Sequence, residues 1–316
     1  MIKRPLGRSG LEIAPLVFGG NVFGWTADEA TSFAMLDRFV DAGLDAIDTA
    51  DAYSMWVPGN SGGESETIIG KWLKKSPGRR DSVVVITKVG AELAPDKKGL
   101  SAGRIVQAAE DSLRRLQVEA IDLYLSHFPD AATPIEETLK GYETLLRDGK
   151  VRAVGCSNYD AAQLRAALDA SAGGDLPRYE VLQPEYNLYD RDSFEGDLRR
   201  LCIEENVGVI PYFSLAKGFL AGKYRSHVDL GKSVRGSMVE KYLDDKGMRI
   251  LAALDQVAAA HGAKPAEVAL AWLIAREGVT APIASATTLE QVDSLINATR
   301  LELSRSELDA LTQAGE

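Results

Sequence analysis

The chain has 316 residues, 45% of them hydrophobic and 26% charged, the balance of a globular protein with a substantial core. Its net charge of −10 at pH 7 argues against nucleic acid or an anionic membrane as partner, since both reward clustered positive charge. No run approaches the ~18 apolar residues of a membrane helix, and the opening MIKRPLGRSGLEIAPLVFGG interrupts with charges and glycines the apolar stretch that a secretory signal needs. A cytoplasmic protein is therefore expected.

Residues 1–15, with a glycine turn at Gly7 to Gly10, read as a small hairpin that caps the bottom of the fold. Short β-branched runs then alternate with longer amphipathic stretches, the pattern of strand–helix units around a parallel sheet. Strands are predicted over 16–20, 45–49, 83–88, 121–126, 151–156, 181–183, 207–211 and 281–284. Helical spacing is clear over 30–42, 105–116, 135–146, 246–261 and 265–277, with one more helix after Ser304. Asp28, and Thr133 with Pro134, supply start signals, while Gly43 and Gly149 sit where stops belong.

Eight such units without a linker predict a single α/β domain over 1–316, a (β/α)8 TIM barrel with an N-terminal β-hairpin. A long loop follows the seventh strand, from Ser214 to Asp245. It is locally basic in an acidic chain and carries Gly218, Gly222, Gly231 and Gly236, which let a backbone approach a ligand closely. The loop is read as a flap over a phosphate-bearing cofactor. Cys156 and Cys202 lie outside any CxxC or metal-ligand spacing, so buried free thiols are expected and no metal site.

In such barrels chemistry occurs at the carboxyl ends of the strands. Asp48 closes the second strand with Tyr53 in the loop behind it, Lys88 ends the third, and His127 follows the fourth. A lysine at the rim of so apolar a strand wants an anion, and Asp48 is one strand away. An ammonium ~4 Å from the phenol would favour its phenolate by about 4 kcal/mol at an effective dielectric of ~20, making Tyr53 a general acid near neutral pH, with His127 holding the carbonyl oxygen. The group lacks a hydride source, so it makes chemical sense only beside a redox cofactor.

At these residues the sequence resembles the aldo-keto reductases. The resemblance rests on Asp48-Thr49-Ala50-Asp51-Ala52-Tyr53, the Gly-Gly-Glu-Ser-Glu run at 62–66 leading to Ile69-Gly70, Ile86-Thr87-Lys88, Ser126-His127-Phe128-Pro129-Asp130, and Gly155-Cys156-Ser157-Asn158. It implies that Tyr53 donates the proton, Asp48 and Lys88 tune it, and His127 orients the carbonyl of a small-molecule substrate. Ser157, Asn158 and Gln183 fall where the family holds the nicotinamide carboxamide, and Tyr212, ahead of Phe213 and Ser214, where an aromatic ring stacks on it. Gly20 and Asn21 would line the cofactor entrance; Leu215, Gly218, Lys223 and Arg235 match the pyrophosphate and ribose clamp, and Ser285, Thr287 and Gln291 the adenosine end. No Lys or Arg occurs over 282–291, where many NADPH-selective relatives carry one; NADP(H) is still expected ahead of NAD(H). The segment Ser54-Met55-Trp56-Val57-Pro58-Gly59-Asn60, together with Trp25, is expected to wall the substrate mouth, Trp25 and Trp56 foremost.

Two other barrel functions compete. A metal-dependent isomerase would need several His at the strand ends, whereas this chain has three His in all, two of them His227 in the flap and His261 after a helix. A cofactor-sensing subunit similar to potassium-channel β subunits shares the barrel, but those usually carry Asn in the slot of His127.

Overall fold

In the computed structural model, which describes residues 2–76 and 78–316, all eight expected barrel strands form. After the hairpin of β1 (Arg4–Pro5) and β2 (Glu12–Ile13) come β3 (Val17–Gly19), β4 (Ala46–Asp48), β5 (Val84–Val89) and β6 (Ile121–Ser126). They are followed by β7 (Val151–Ser157), β8 (Val181–Gln183), β9 (Gly208–Val209) and β10 (Ile283–Ala284). The sheet is parallel, in the order β10-β3-β4-β5-β6-β7-β8-β9. Its seam is closed by backbone N–H groups of Thr280 and Ile283, which donate to the carbonyls of Val209 and Pro211 at 2.8 Å each. The result is a (β/α)8 barrel.

Strand residues alternate between two environments, as a period of two requires. Val17, Ala46, Ile86, Leu123, Leu125 and Val181 fill the barrel interior, while Phe18, Ile47, Val85, Tyr124 and Leu182 face the helices. Leu6 and Ile13 of the hairpin join the interior cluster, so the hairpin plugs the amino ends of the strands. Gly7 makes this seating possible: at φ +61° a Cβ there would stand 2.3 Å from the Glu180 carbonyl oxygen.

The helices that follow successive strands are α1 (Glu29–Asp41), α2 (Glu64–Lys75), α3 (Ala102–Leu116), α4 (Ile135–Arg147), α5 (Ala161–Ser171) and α6 (Asp197–Glu204). Between β9 and β10 lie α7 (Asp245–His261) and α8 (Pro265–Ala275); α9 (Leu289–Ala298) and α10 (Arg305–Ala314) come after β10. Asp28 caps α1 by accepting the Thr31 N–H at 2.8 Å, and Gly43 and Gly149 take left-handed conformations behind α1 and α4. Helix α4 starts directly behind Pro134, which occupies the capping position; Thr133 lies one residue further out and its hydroxyl donates to Asp130 at 2.7 Å. No helix among the described residues is long and apolar enough to cross a membrane. Cys156 and Cys202 are buried free thiols.

The segment 214–245 is long but not structureless. It is wound into short 3-10 turns at Ala216–Ala221, His227–Lys232, Gly236–Met238 and Glu240–Tyr242. The Arg225–Asp255 fork, both bonds 2.7 Å, and the Tyr242 hydroxyl on Asp190, also 2.7 Å, tie it to α7 and to the segment before α6.

Candidate active site

Parallel pairing aligns the strand ends: Asp48 lies beside Gly19 and Ile86, and Ser157 beside Gln183. Lys88 is fully buried and uses its ammonium on three acceptors, Asp48 Oδ2 at 2.8 Å, the Thr49 carbonyl at 2.7 Å and the Tyr53 hydroxyl oxygen at 2.8 Å. The Tyr53 hydroxyl in turn donates to Asp48 Oδ2 at 3.2 Å. Gln183 donates through Nε2 to Asp48 Oδ1 at 2.9 Å. The buried cation thus has its counter-ion and a full set of acceptors.

This geometry corrects one expectation from the sequence. Burial, and then the Asp48 carboxylate, push the Tyr53 phenol well above its ordinary pKa. Asp48 neutralises the ammonium and also faces the phenol, so the cation has no unopposed pull on it. Burial lowers the Lys88 pKa, with Asp48 opposing. The Tyr53 phenol is therefore firmly protonated, one hydrogen bond from the buried Lys88 ammonium.

The His127 ring centroid stands 6.1 Å from that of Tyr53, and its ring stacks on Phe128 at 4.5 Å and 11°. Burial, then Lys88, holds its pKa well below the usual imidazole range. It is a neutral imidazole, and its buried Nδ1 has no hydrogen-bond partner among the described residues. Asn158, in a left-handed conformation at φ 63°, donates to the His127 carbonyl at 2.8 Å and accepts from the Tyr212 hydroxyl at 2.6 Å. This chain of bonds ties the ends of three strands together.

Asp48, Tyr53 and His127 line a cavity of about 530 Å³ at the carboxyl ends of the strands, with Lys88 buried behind them. Of the residues read from the sequence, Asn21, Ser157, Asn158, Gln183 and Tyr212 line it, as do Phe213, Ser214, Leu215, Gly218, Arg235 and Ser285. Trp56 lines it too. Trp25 stands behind, edge-on to Trp56 at 5.6 Å and under the Arg235 guanidinium at 5.1 Å.

Four of the residues expected at the cofactor miss the lining. Gly20 is packed away from the cavity, where a Cβ would meet the Asp48 carbonyl at 3.0 Å, and its own carbonyl accepts from Ser65 at 2.8 Å. Gly19 lines the wall instead; a Cβ on it would come within 2.5 Å of Ser285 Oγ. The Lys223 ammonium lies over the Tyr224 ring at 5.0 Å. Thr287 and Gln291 are engaged with each other, the Thr287 N–H donating to Gln291 Oε1 at 2.8 Å. Met55 of the expected substrate wall and Lys217 of the basic loop line the cavity, as does Phe128, to which sequence reasoning assigns no role of its own. For Phe128 a signal existed: it directly follows a histidine at a strand end.

One wall suits an anionic ligand. Arg235 Nη2 is buried without a partner, and the backbone from Phe213 to Gly218 carries left-handed residues at Phe213, Ala216, Lys217 and Gly218. A dinucleotide's phosphates would satisfy that donor. Among the described residues no group of three or more His, Cys, Asp or Glu is arranged to hold a metal ion.

The closed barrel, with its polar rim at the carboxyl ends of the strands, is the architecture of a barrel enzyme. The family model for the Aldo/keto reductase family matches residues 15–316. The chain belongs to the aldo/keto reductase family. It is 34% identical to the "Uncharacterized oxidoreductase YrpG" of Bacillus subtilis, over 97% of this chain and 93% of the relative. It is also 32% identical to a "Probable voltage-gated potassium channel subunit beta" of Oryza sativa, over 92% and 89%, and 31% identical to "Aldo-keto reductase AFTS1" of Alternaria alternata, over 97% and 89%.

Proposed function

We propose that the protein reduces an aldehyde or ketone to an alcohol with NADP(H), used in preference to NAD(H), and that Tyr53 is the proton donor. The observation that carries this reading is the joint contact of the Lys88 ammonium with Tyr53 and Asp48, beside a neutral His127 that lines the same cavity. A bound nicotinamide supplies the hydride to the carbonyl carbon. The chain does the rest. His127 donates to or orients the carbonyl oxygen. As negative charge grows on that oxygen it becomes more basic than the phenol, the Tyr53 hydroxyl turns from Asp48 to it, and the proton moves downhill. Lys88 then faces a phenolate, which it stabilises at a short, dry contact.

Ser157, Asn158 and Gln183 suit a carboxamide, Tyr212 a nicotinamide face, and the flap cations with Arg235 the phosphates. Lys223, Thr287 and Gln291 would have to reorient to reach the cofactor. Trp56, braced by Trp25, forms the substrate wall. The potassium-channel relative raises a regulatory alternative, which turnover of a generic aldehyde with loss of NADPH absorbance would remove.

The test is Tyr53→Phe. Carbonyl reduction should fall about 10²- to 10⁴-fold, while cofactor binding, followed by fluorescence quenching, stays close to wild type. A variant that keeps most of its rate overturns the assignment.

A further inference from the structure

Behind the catalytic rim, on the side of the Asp48–Tyr53 turn away from the main cavity, lies a second, polar cavity of about 260 Å³. Asp51 lines it together with Arg104, Arg115, Lys97 and Asp111. Asp51 stands three residues after Asp48 and two before Tyr53, and its backbone N–H donates to the Lys88 carbonyl at 3.3 Å. The Lys88 ammonium grips the same turn at the Thr49 carbonyl, 2.7 Å away. The turn that presents the phenol is thus wrapped around Lys88, and Asp51 is its outward peg.

The peg is held by one cation. Asp51 is 1% exposed, and Arg104 Nη2 lies 3.4 Å from its Oδ2. Asp51 Oδ1 and Arg104 Nε are both buried without partners. Arg115 belongs to another acid: fully buried Glu66 takes its Nε at 2.6 Å and the Thr87 hydroxyl at 2.6 Å.

We propose that Asp51 is a positioning residue for the proton donor: its carboxylate, drawn to Arg104 across the second cavity, holds the 49–53 turn against Lys88, and protonation of that carboxyl loosens the turn. The inference rests on the reading of Tyr53 as the acid. The groups facing Asp51 are Arg104, Arg115 and Asp111 of α3, Glu66 of α2, Lys88 of β5, Tyr124 of β6, Tyr142 of α4 and Lys97 of the loop after β5. Burial and then Glu66 raise the Asp51 carboxyl to about 7, against the pull of Arg104, Arg115 and Lys88. It is neutral below that pH and charged above, so the turn tightens and turnover rises as pH increases through neutrality. His127 is held well below this window and Tyr53 well above it.

The experiment measures kcat and KM for one aldehyde at saturating NADPH, between about pH 5.5 and 8.5, for wild type, Asp51→Asn, Arg104→Gln and Tyr53→Phe. Wild-type kcat should rise roughly tenfold through neutrality, the scale of a small misplacement of a reacting group. Asp51→Asn should be flat at about the low-pH value of wild type, with KM within about twofold. Arg104→Gln should move the inflection to higher pH, since the carboxylate loses its cation. A role in folding alone would lower every point and leave the inflection in place. Circular dichroism and cofactor fluorescence establish folding. If Asp51→Asn does not fold, the Arg104→Gln inflection decides: unmoved, it overturns the proposal. An Asp51→Asn profile that keeps the wild-type inflection also overturns it. An active Tyr53→Phe points instead to failure of the underlying reading, whereas an inactive Tyr53→Phe beside a wild-type-like Asp51→Asn leaves that reading standing and removes only this one.

Discussion

The two ends of the main cavity are built on different principles. At the end that holds Tyr53, the residues Asp48, Lys88, Gln183 and Ser157 sit on strands, buried to within 1% of full enclosure, and their contacts to one another are 2.7–2.9 Å. At the flap end the wall is a run of 3-10 turns with left-handed residues at Phe213, Ala216, Lys217 and Gly218, and its best anion donor, Arg235 Nη2, has no partner. Strand pairing fixes side chains before substrate arrives, which is what a proton transfer needs. The flap end leaves Arg235 Nη2 uncommitted instead, while Arg225 and Tyr242 are tied to Asp255 and Asp190.

That contrast can be broken at either end. Lys88→Met strands Asp48 as a buried, unpaired charge, so a loss of about 3–5 kcal/mol in denaturant unfolding is expected together with loss of activity. A stable, active variant would show that the rim is not electrostatically coupled. Arg235→Leu should weaken cofactor binding about tenfold, the scale of a hydrogen bond to a charged group, while unfolding stability moves by less than about 1 kcal/mol. Equal losses of binding and stability would erase the distinction between the ends. Phe128→Ala removes a ring that is 46% exposed and stacked on His127; it should raise KM for aromatic aldehydes a few-fold, in line with about 1 kcal/mol for an aromatic contact, with kcat less affected. A larger fall in kcat than rise in KM would make Phe128 a support for the His127 ring rather than a substrate contact.

The barrel was legible because its strands are short β-branched runs at regular intervals and its helices carry a clear apolar face. Asp48, Lys88 and His127 stood out as polar residues ending such runs, where the fold concentrates chemistry. Other features depended on what only three dimensions supply. The 3-10 turns over 216–242 lack a 3.6-residue period, so they read as a bare loop. Thr133 and Pro134 marked the start of α4 correctly, but which of the two takes the capping position, Pro134, is settled only by the backbone. The Tyr53 pKa runs opposite to the sequence expectation because Lys88 does not face the phenol alone: Asp48 touches both. The choice of Gly19 over Gly20 as cavity wall turns on which glycine abuts Ser285, a contact 266 positions along the chain.

The most direct measurement of the central claim tracks one deuterium. With NADPH deuterated at the transferring position and an aldehyde substrate, mass spectrometry of the product alcohol should find one deuterium on the carbinol carbon, and Tyr53→Phe should form almost none of this product. Alcohol bearing no cofactor-derived deuterium, or formed at an undiminished rate by Tyr53→Phe, would contradict a hydride transfer completed by the Tyr53 proton.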